Sequence, residues 1–194
     1  AVIHAKVGDA TAADAALNEA QALERPDWPL RLRICNIDER RRVAKYLGRM
    51  DQSLTLSRQY LQMRQDAGAG TVPALSGLAD TELAAGQAEA AVRTGLALVA
   101  QLEGTREEQE LAHARLNLCA AFLSLDQLQP ARRTAVLGWK MAERFGMQAW
   151  WADYLALLAA LEGRSQAAAL LLGFADATYE RTQDHREPNE AAAA

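Results

Sequence analysis

Leu78-Ala79-Asp80-Thr81-Glu82-Leu83-Ala84-Ala85-Gly86-Gln87-Ala88-Glu89-Ala90-Ala91 sets a single glycine between two runs rich in Ala, Leu and Glu. Those residues favour helix, and glycine is the residue that most readily ends one. The arrangement returns along the chain. Gly8-Asp9, Gly48-Arg49, Asp126-Gln127 and Gly163-Arg164 join Gly86-Gln87 as turn marks, at spacings of 40, 38, 40 and 37 residues. Five residues past each mark stands Ala13, Ser53, Ala91, Ala131 or Ala168, small in every case, as expected where two helices cross closely. Seven residues before each mark stands Ala1, Arg41, Ala79, Cys119 or Ala156. Arg41 breaks that series. A slip of two or three residues there, with Gly48 closing one helix and Asp51 capping the next, would bring Val43 and Ala44 to the packing positions instead.

The period predicts an all-α fold, a superhelix of antiparallel helical hairpins in which each pair covers its neighbour's apolar face. Helices are expected over 1–7, 10–24, 29–47, 52–66, 72–85, 87–102, 106–125, 128–145, 148–161 and 165–181. The second stops at Arg25-Pro26, because the residue before a proline resists helix. Thr105 and Glu108 read as a capping box opening the helix from 106. Pro130 fits a first turn, and Gly146 ends that helix. In 116–125 the apolar residues leave only a narrow polar stripe, so this helix should be buried on both flanks. Residues 1–182 thus form one domain of about four and a half hairpins. Asp184-His185-Arg186-Glu187-Pro188 reads as a loop into a further, truncated helix, so that 183–194 begins a repeat left unfinished, and both ends read as cut from a longer chain. End hairpins without polar caps predict self-association into a homo-oligomer.

Composition narrows the function classes. Of 194 residues half are hydrophobic, 6% aromatic and 24% charged, and only three are isoleucine, so strand formers are scarce. The net charge of −4 opposes direct nucleic-acid contact, which needs a surplus of Lys and Arg on one face. No apolar run is long enough to span a membrane. Two cysteines, Cys35 and Cys119, suit neither a disulfide framework nor a zinc site, and a cytoplasmic location is expected.

Three segments resemble tetratricopeptide (TPR) repeats at their inter-helix turn: Leu78–Ala91 quoted above, Asn117-Leu118-Cys119-Ala120-Ala121-Phe122-Leu123-Ser124-Leu125-Asp126, and Leu155-Ala156-Leu157-Leu158-Ala159-Ala160-Leu161-Glu162-Gly163. That family repeats every 34 residues or so, whereas the period here is stretched. Stretched repeats, together with Gln166-Ala167-Ala168-Ala169-Leu170-Leu171-Leu172-Gly173-Phe174-Ala175-Asp176-Ala177 and Arg186-Glu187-Pro188-Asn189-Glu190, resemble the C-terminal sensor arm of large NTPase-containing bacterial transcription regulators, LuxR-type and related. The resemblance implies that the first helix of each hairpin lines a concave groove. By its pattern the groove candidates are Asp38, Arg42, Lys45, Ser76, Asp80, His113, Trp150 and Asp153. A set with both charge signs and an aromatic suits a protein or peptide ligand. The expected function is therefore a non-catalytic protein- or peptide-binding module, the sensor or interaction arm of a bacterial transcription regulator; the alternative is a plain assembly adaptor without a regulatory role.

Catalytic constellations are missing. Gly68-Ala69-Gly70-Thr71 has the glycines of a phosphate loop but no lysine, and neither HExxH nor GxSxG occurs. His4, His113 and His185 fall in different repeats, so no catalytic residue, metal site or cofactor is expected. Arg31, Arg33, Arg40, Arg41, Arg42, Lys45 and Arg49 form one basic helix, either a site for an acidic partner or a solvated face balanced by Asp38, Glu39 and neighbouring acids. Trp150 and Trp151 point about 100° apart on a helix, which allows one in the core and one as an anchor in the groove, or both between stacked helices.

Overall fold

The computed structural model describes residues 1–25, 27–182 and 185–194. Pro26, expected to stop the second helix, and Asp184, at the start of the expected last loop, lie outside these. The chain forms two compact units, Ala1–Ala85 and Gly86–Ala194. The first holds α1 (Val2–Lys6), α2 (Ala10–Leu23), α3 (Leu30–Tyr46), α4 (Met50–Asp66) and α5 (Val72–Ala84). The second holds α6 (Ala88–Leu102), α7 (Glu108–Leu123), α8 (Leu128–Phe145), α9 (Gln148–Leu161), α10 (Ser165–Thr182) and α11 (Pro188–Ala193). No strand occurs among the described residues. Within each unit consecutive helices pack as neighbours, α3 on α4, α7 on α8 and α9 on α10 most extensively.

The turn marks have a common backbone. Gly8, Gly48, Gly86 and Gly163 all take φ between 71° and 79°, and Asp126 holds the same left-handed region at φ 54°. A residue with a Cβ adopts that region at a cost, and aspartate is among the few that tolerate it. Asp126→Gly is therefore expected to raise stability by up to about 1 kcal/mol, read as a higher urea midpoint at unchanged slope.

The small residues past each mark are buried: Ala13, Ser53, Ala91, Ala131 and Ala168. In two repeats the contact with the residue seven before the mark is direct. Ser53 Oγ donates to the Arg41 carbonyl at 3.0 Å, and one repeat pair later Cys119 Sγ approaches the Ala131 carbonyl at 3.5 Å. So the second repeat keeps the common register: Gly48 closes α3 and Val43 and Ala44 are buried as expected, but without a slip. Its α4 starts at Met50 with Arg49 at the cap, and Asp51 lies within the first turn. Arg41 itself keeps the packing position, because its long side chain runs out to Gly77 of α5, where its Nη1 donates to the Gly77 carbonyl at 3.3 Å. A Cβ on Gly77 would sit 2.7 Å from the guanidinium carbon, so the glycine makes room for the arginine.

The capping box is also corrected. α7 starts at Glu108, and no side chain caps it. Thr105 instead closes α6, donating to the Leu102 carbonyl at 2.8 Å and accepting from the Glu107 N–H at 3.2 Å. The glycine before it has already turned the chain, so the hydroxyl finds the unsatisfied carbonyl end of α6 before it can reach α7.

α7 is buried on both flanks, from Leu111 and Ala112 through to Leu123. Its Cys119 is fully enclosed, and burial pushes the thiol up to about 12, while Cys35 is exposed. Of the paired tryptophans, Trp151 is wholly buried and Trp150 half-buried. No described helix is long and apolar enough to cross a membrane.

Candidate functional site

In unit 1 the first-helix candidates are drawn together by charge. Lys45 on α3 donates to Asp80 on α5 at 2.6 Å, with the lysine side chain 4% and the aspartate 20% exposed. Asp38 accepts from Arg41 Nε at 2.9 Å and Nη2 at 2.8 Å. Among the described residues Arg42 reaches only Glu39 on its own helix, at 3.4 Å, with both side chains open to water. Ser76 is half-buried on α5. The basic helix is thus largely balanced from within. Arg49 completes the pattern with a two-pronged pair to Asp14 at 2.6 Å, whose hydrogen bonds hold the Asp14 carboxyl below its ordinary range. Arg31 and Arg33 remain exposed.

In unit 2 the face carries an aromatic pair. His113 on α7 and Trp150 on α9 each stand thirteen residues before their turn mark, and equal register in adjacent repeats brings their rings to 5.5 Å at 40°. Both are half-buried, so each keeps an open edge. A proton on His113 Nδ1 donates to the Gln109 carbonyl at 3.1 Å, which leaves Nε2 to accept from a ligand. Asp153, one turn further along α9, is placed differently. Its carboxylate is fully buried and takes three bonds of 2.8–3.1 Å from Arg186, with the Tyr179 hydroxyl at 3.3 Å. Arg186 also reaches Asp176 at 2.6 Å and lies 4.9 Å from the Tyr179 ring centre. The segment before α11 therefore closes over the position that Asp153 was expected to present.

A second feature was not anticipated. Between α8 and α10, over one face of α9, opens a cleft of about 580 Å³ walled by Val136, Trp139 and Leu171 and floored by Leu155 and Leu158. The sequence held a signal for it. From Gln166 to Ala175 no charged residue interrupts α10, far more apolar surface than one buried face requires. Among the described residues no group of three His, Cys, Asp or Glu side chains could hold a metal ion.

These features, a stack of hairpins with left-handed turn residues and small residues at each crossing, set the comparison with known proteins. The fold is a TPR-like helical-repeat array. It is similar to a protein from Podosopora anserina described as a kinesin light chain with nearly identical TPR-like repeats, at 18% identity and a TM-score of 0.66 over 93% of this chain and 91% of that one. A second crystal structure of those repeats gives 18% identity and a TM-score of 0.64, covering 94% and 92%. BtubC from P. vanneervenii matches at 16% identity and a TM-score of 0.69, over 94% of this chain and 78% of its own. No family model and no curated protein matches the sequence. The likeness is one of fold.

Proposed function

We propose that this TPR-like array is a non-catalytic module that binds a protein or peptide segment on the face of its first helices, and that it serves as the sensor arm of a bacterial transcription regulator. The observation that carries the binding role is the His113–Trp150 pair, two aromatic rings from successive repeats held against each other with open edges. An aromatic held in place by its neighbours has little freedom left to lose on binding, which is why tryptophan anchors so often dominate interfaces. The charges of unit 1 are mostly paired already, so they add little attraction of their own.

The regulatory role rests on the likeness of Gln166–Ala177 and the following Arg186–Glu190 to the ends of such sensor arms. Its mechanism is differential binding: a ligand shifts the parent between states by no more than the difference in its affinity for them. Peptides selected on the protein from a random display library should bind Trp150→Ala about tenfold or more weakly than the unaltered chain. Selected peptides whose affinity survives both Trp150→Ala and His113→Ala would remove the proposed site. A parent gene encoding neither an NTPase module nor a DNA-binding domain would remove the regulatory reading.

A further inference from the structure

We infer that the cleft between α8 and α10 is a second docking site, which takes a short amphipathic helix of a partner protein whose apolar anchors are flanked by acidic residues. None of its lining residues is one of the first-helix groove candidates, and the floor uses a different set of α9 side chains, so the inference does not depend on the function proposed above.

The interior is apolar, with Val136 and Trp139 on one wall, Leu171 on the other and Leu155 and Leu158 beneath. Apolar surface continues past the opening. Leu170 is 70% exposed and Phe174 46%, both on the uncharged run of α10. That footprint is longer than a small molecule needs. Arg132 to Lys140 spans eight residues of α8, or about 12 Å at the helical rise, the length over which a docked helix presents anchors at i, i+4 and i+7.

The charge of the rim names the partner. Arg132, Lys140 and Arg164 stand at the edge, and the one acid lining the cleft, Glu162, already accepts from Arg132 through two nitrogens, with Arg164 at 3.7 Å. Glu143, further along α8, accepts from the Trp139 indole N–H at 3.0 Å. Lys140 has no ion-pair partner among the described residues and is exposed. The surplus is positive, and an acidic flank answers it. A second copy of this chain fits worse, because a two-fold contact through the cleft sets one copy's cationic rim against the other's.

The test is a display library of helical peptides about sixteen residues long, selected on the intact protein. The chain carrying both Lys140→Glu and Arg164→Glu is the counter-target. Both side chains are exposed, and a glutamate at the start of α10 suits the helix dipole, so this variant should keep its helical spectrum. The expected result is enrichment of peptides with Asp or Glu beside spaced apolar anchors, binding about tenfold or more weakly to the charge-reversed chain and to Leu171→Ser. Peptides with Lys replacing the acids should prefer the charge-reversed chain. Absence of enrichment, enrichment without an acidic bias, or affinity indifferent to the reversal would each overturn the proposal. So would sedimentation showing a dimer that Leu171→Ser dissociates, since the cleft would then be filled by a second copy.

Discussion

Replacing Arg186 with alanine is expected to lower the protein's unfolding free energy by about 3–5 kcal/mol, the range seen when one partner of a buried ion pair is removed. The reason lies with the residue left behind. Asp153 is fully buried on α9, and of its hydrogen bonds from the described residues only the one from Tyr179 at 3.3 Å would survive. An isolated carboxylate in that position has no water to turn to. Asp153→Asn should cost less, about 1–2 kcal/mol. The amide carries no charge, still accepts from Tyr179, and leaves Arg186 its 2.6 Å partner Asp176 at the surface. Urea titrations followed by helical ellipticity would measure both, and a larger loss for Asp153→Asn than for Arg186→Ala would refute this account. The same cluster fixes a dependence on alkali. Burial first, and then the charges of Asp153 and Glu190, hold the Tyr179 hydroxyl above its ordinary range. A folded state that keeps this proton has its full contribution below pH about 10 and loses it as the pH rises further.

Asp153 also marks where sequence reasoning ended. Its place on the first helix of a hairpin followed from the period, and the helix is there. Nothing in the local pattern said that Arg186, more than thirty residues on, would return to cover it. Such a contact depends on where a loop lands, which neither periodicity nor composition encodes. The same holds for Arg41. Its position breaks the small-residue series, for which a shift of register is the simplest remedy. The structure keeps the register and supplies the space from another helix, at Gly77. That signal was present, since a glycine inside a helical run asks for a packing reason. It was legible only once the partner was known.

What did carry over was whatever repeats. The turn residues, the small crossing residues and the bounds of most helices each occur several times, so one irregular instance cannot mislead the whole. The α8–α10 cleft was missed for the opposite reason. It is a relation between two second helices, whereas the family pattern draws attention to the first. The excess of apolar residues on α10 pointed to it without saying which neighbour would form the other wall.

Trp151→Ala should cost about 3–5 kcal/mol, and Gly138→Ala should cost enough to show that the two residues form one fitted contact. The indole is wholly buried, so its truncation removes a large apolar area and leaves a cavity between α8 and α9. A Cβ on Gly138 would lie 2.1 Å from Trp151 Cζ2 and 2.3 Å from Cη2. A rigid ring in a closed site cannot give way as a side-chain tip would, so α8 and α9 must part, at about 1–3 kcal/mol. Helix propensity works the other way and offsets up to about 1 kcal/mol, so the net sign decides whether packing or backbone entropy governs the position. Gly173 supplies the control. It lies in α10, is exposed, has no heavy atom near its would-be Cβ, and does not take a left-handed φ. Gly173→Ala should therefore stabilise by about 0.5–1 kcal/mol through the same propensity. Opposite signs for the two glycine substitutions, in one denaturation series, would tie the closeness of α8 and α9 to the Trp151 ring. Equal stabilisation would mean that the helices have room to spare. The indole N–H has no acceptor among the described protein atoms, so Trp151→Phe, which removes that orphan donor with part of the ring, should cost well under half of what alanine does.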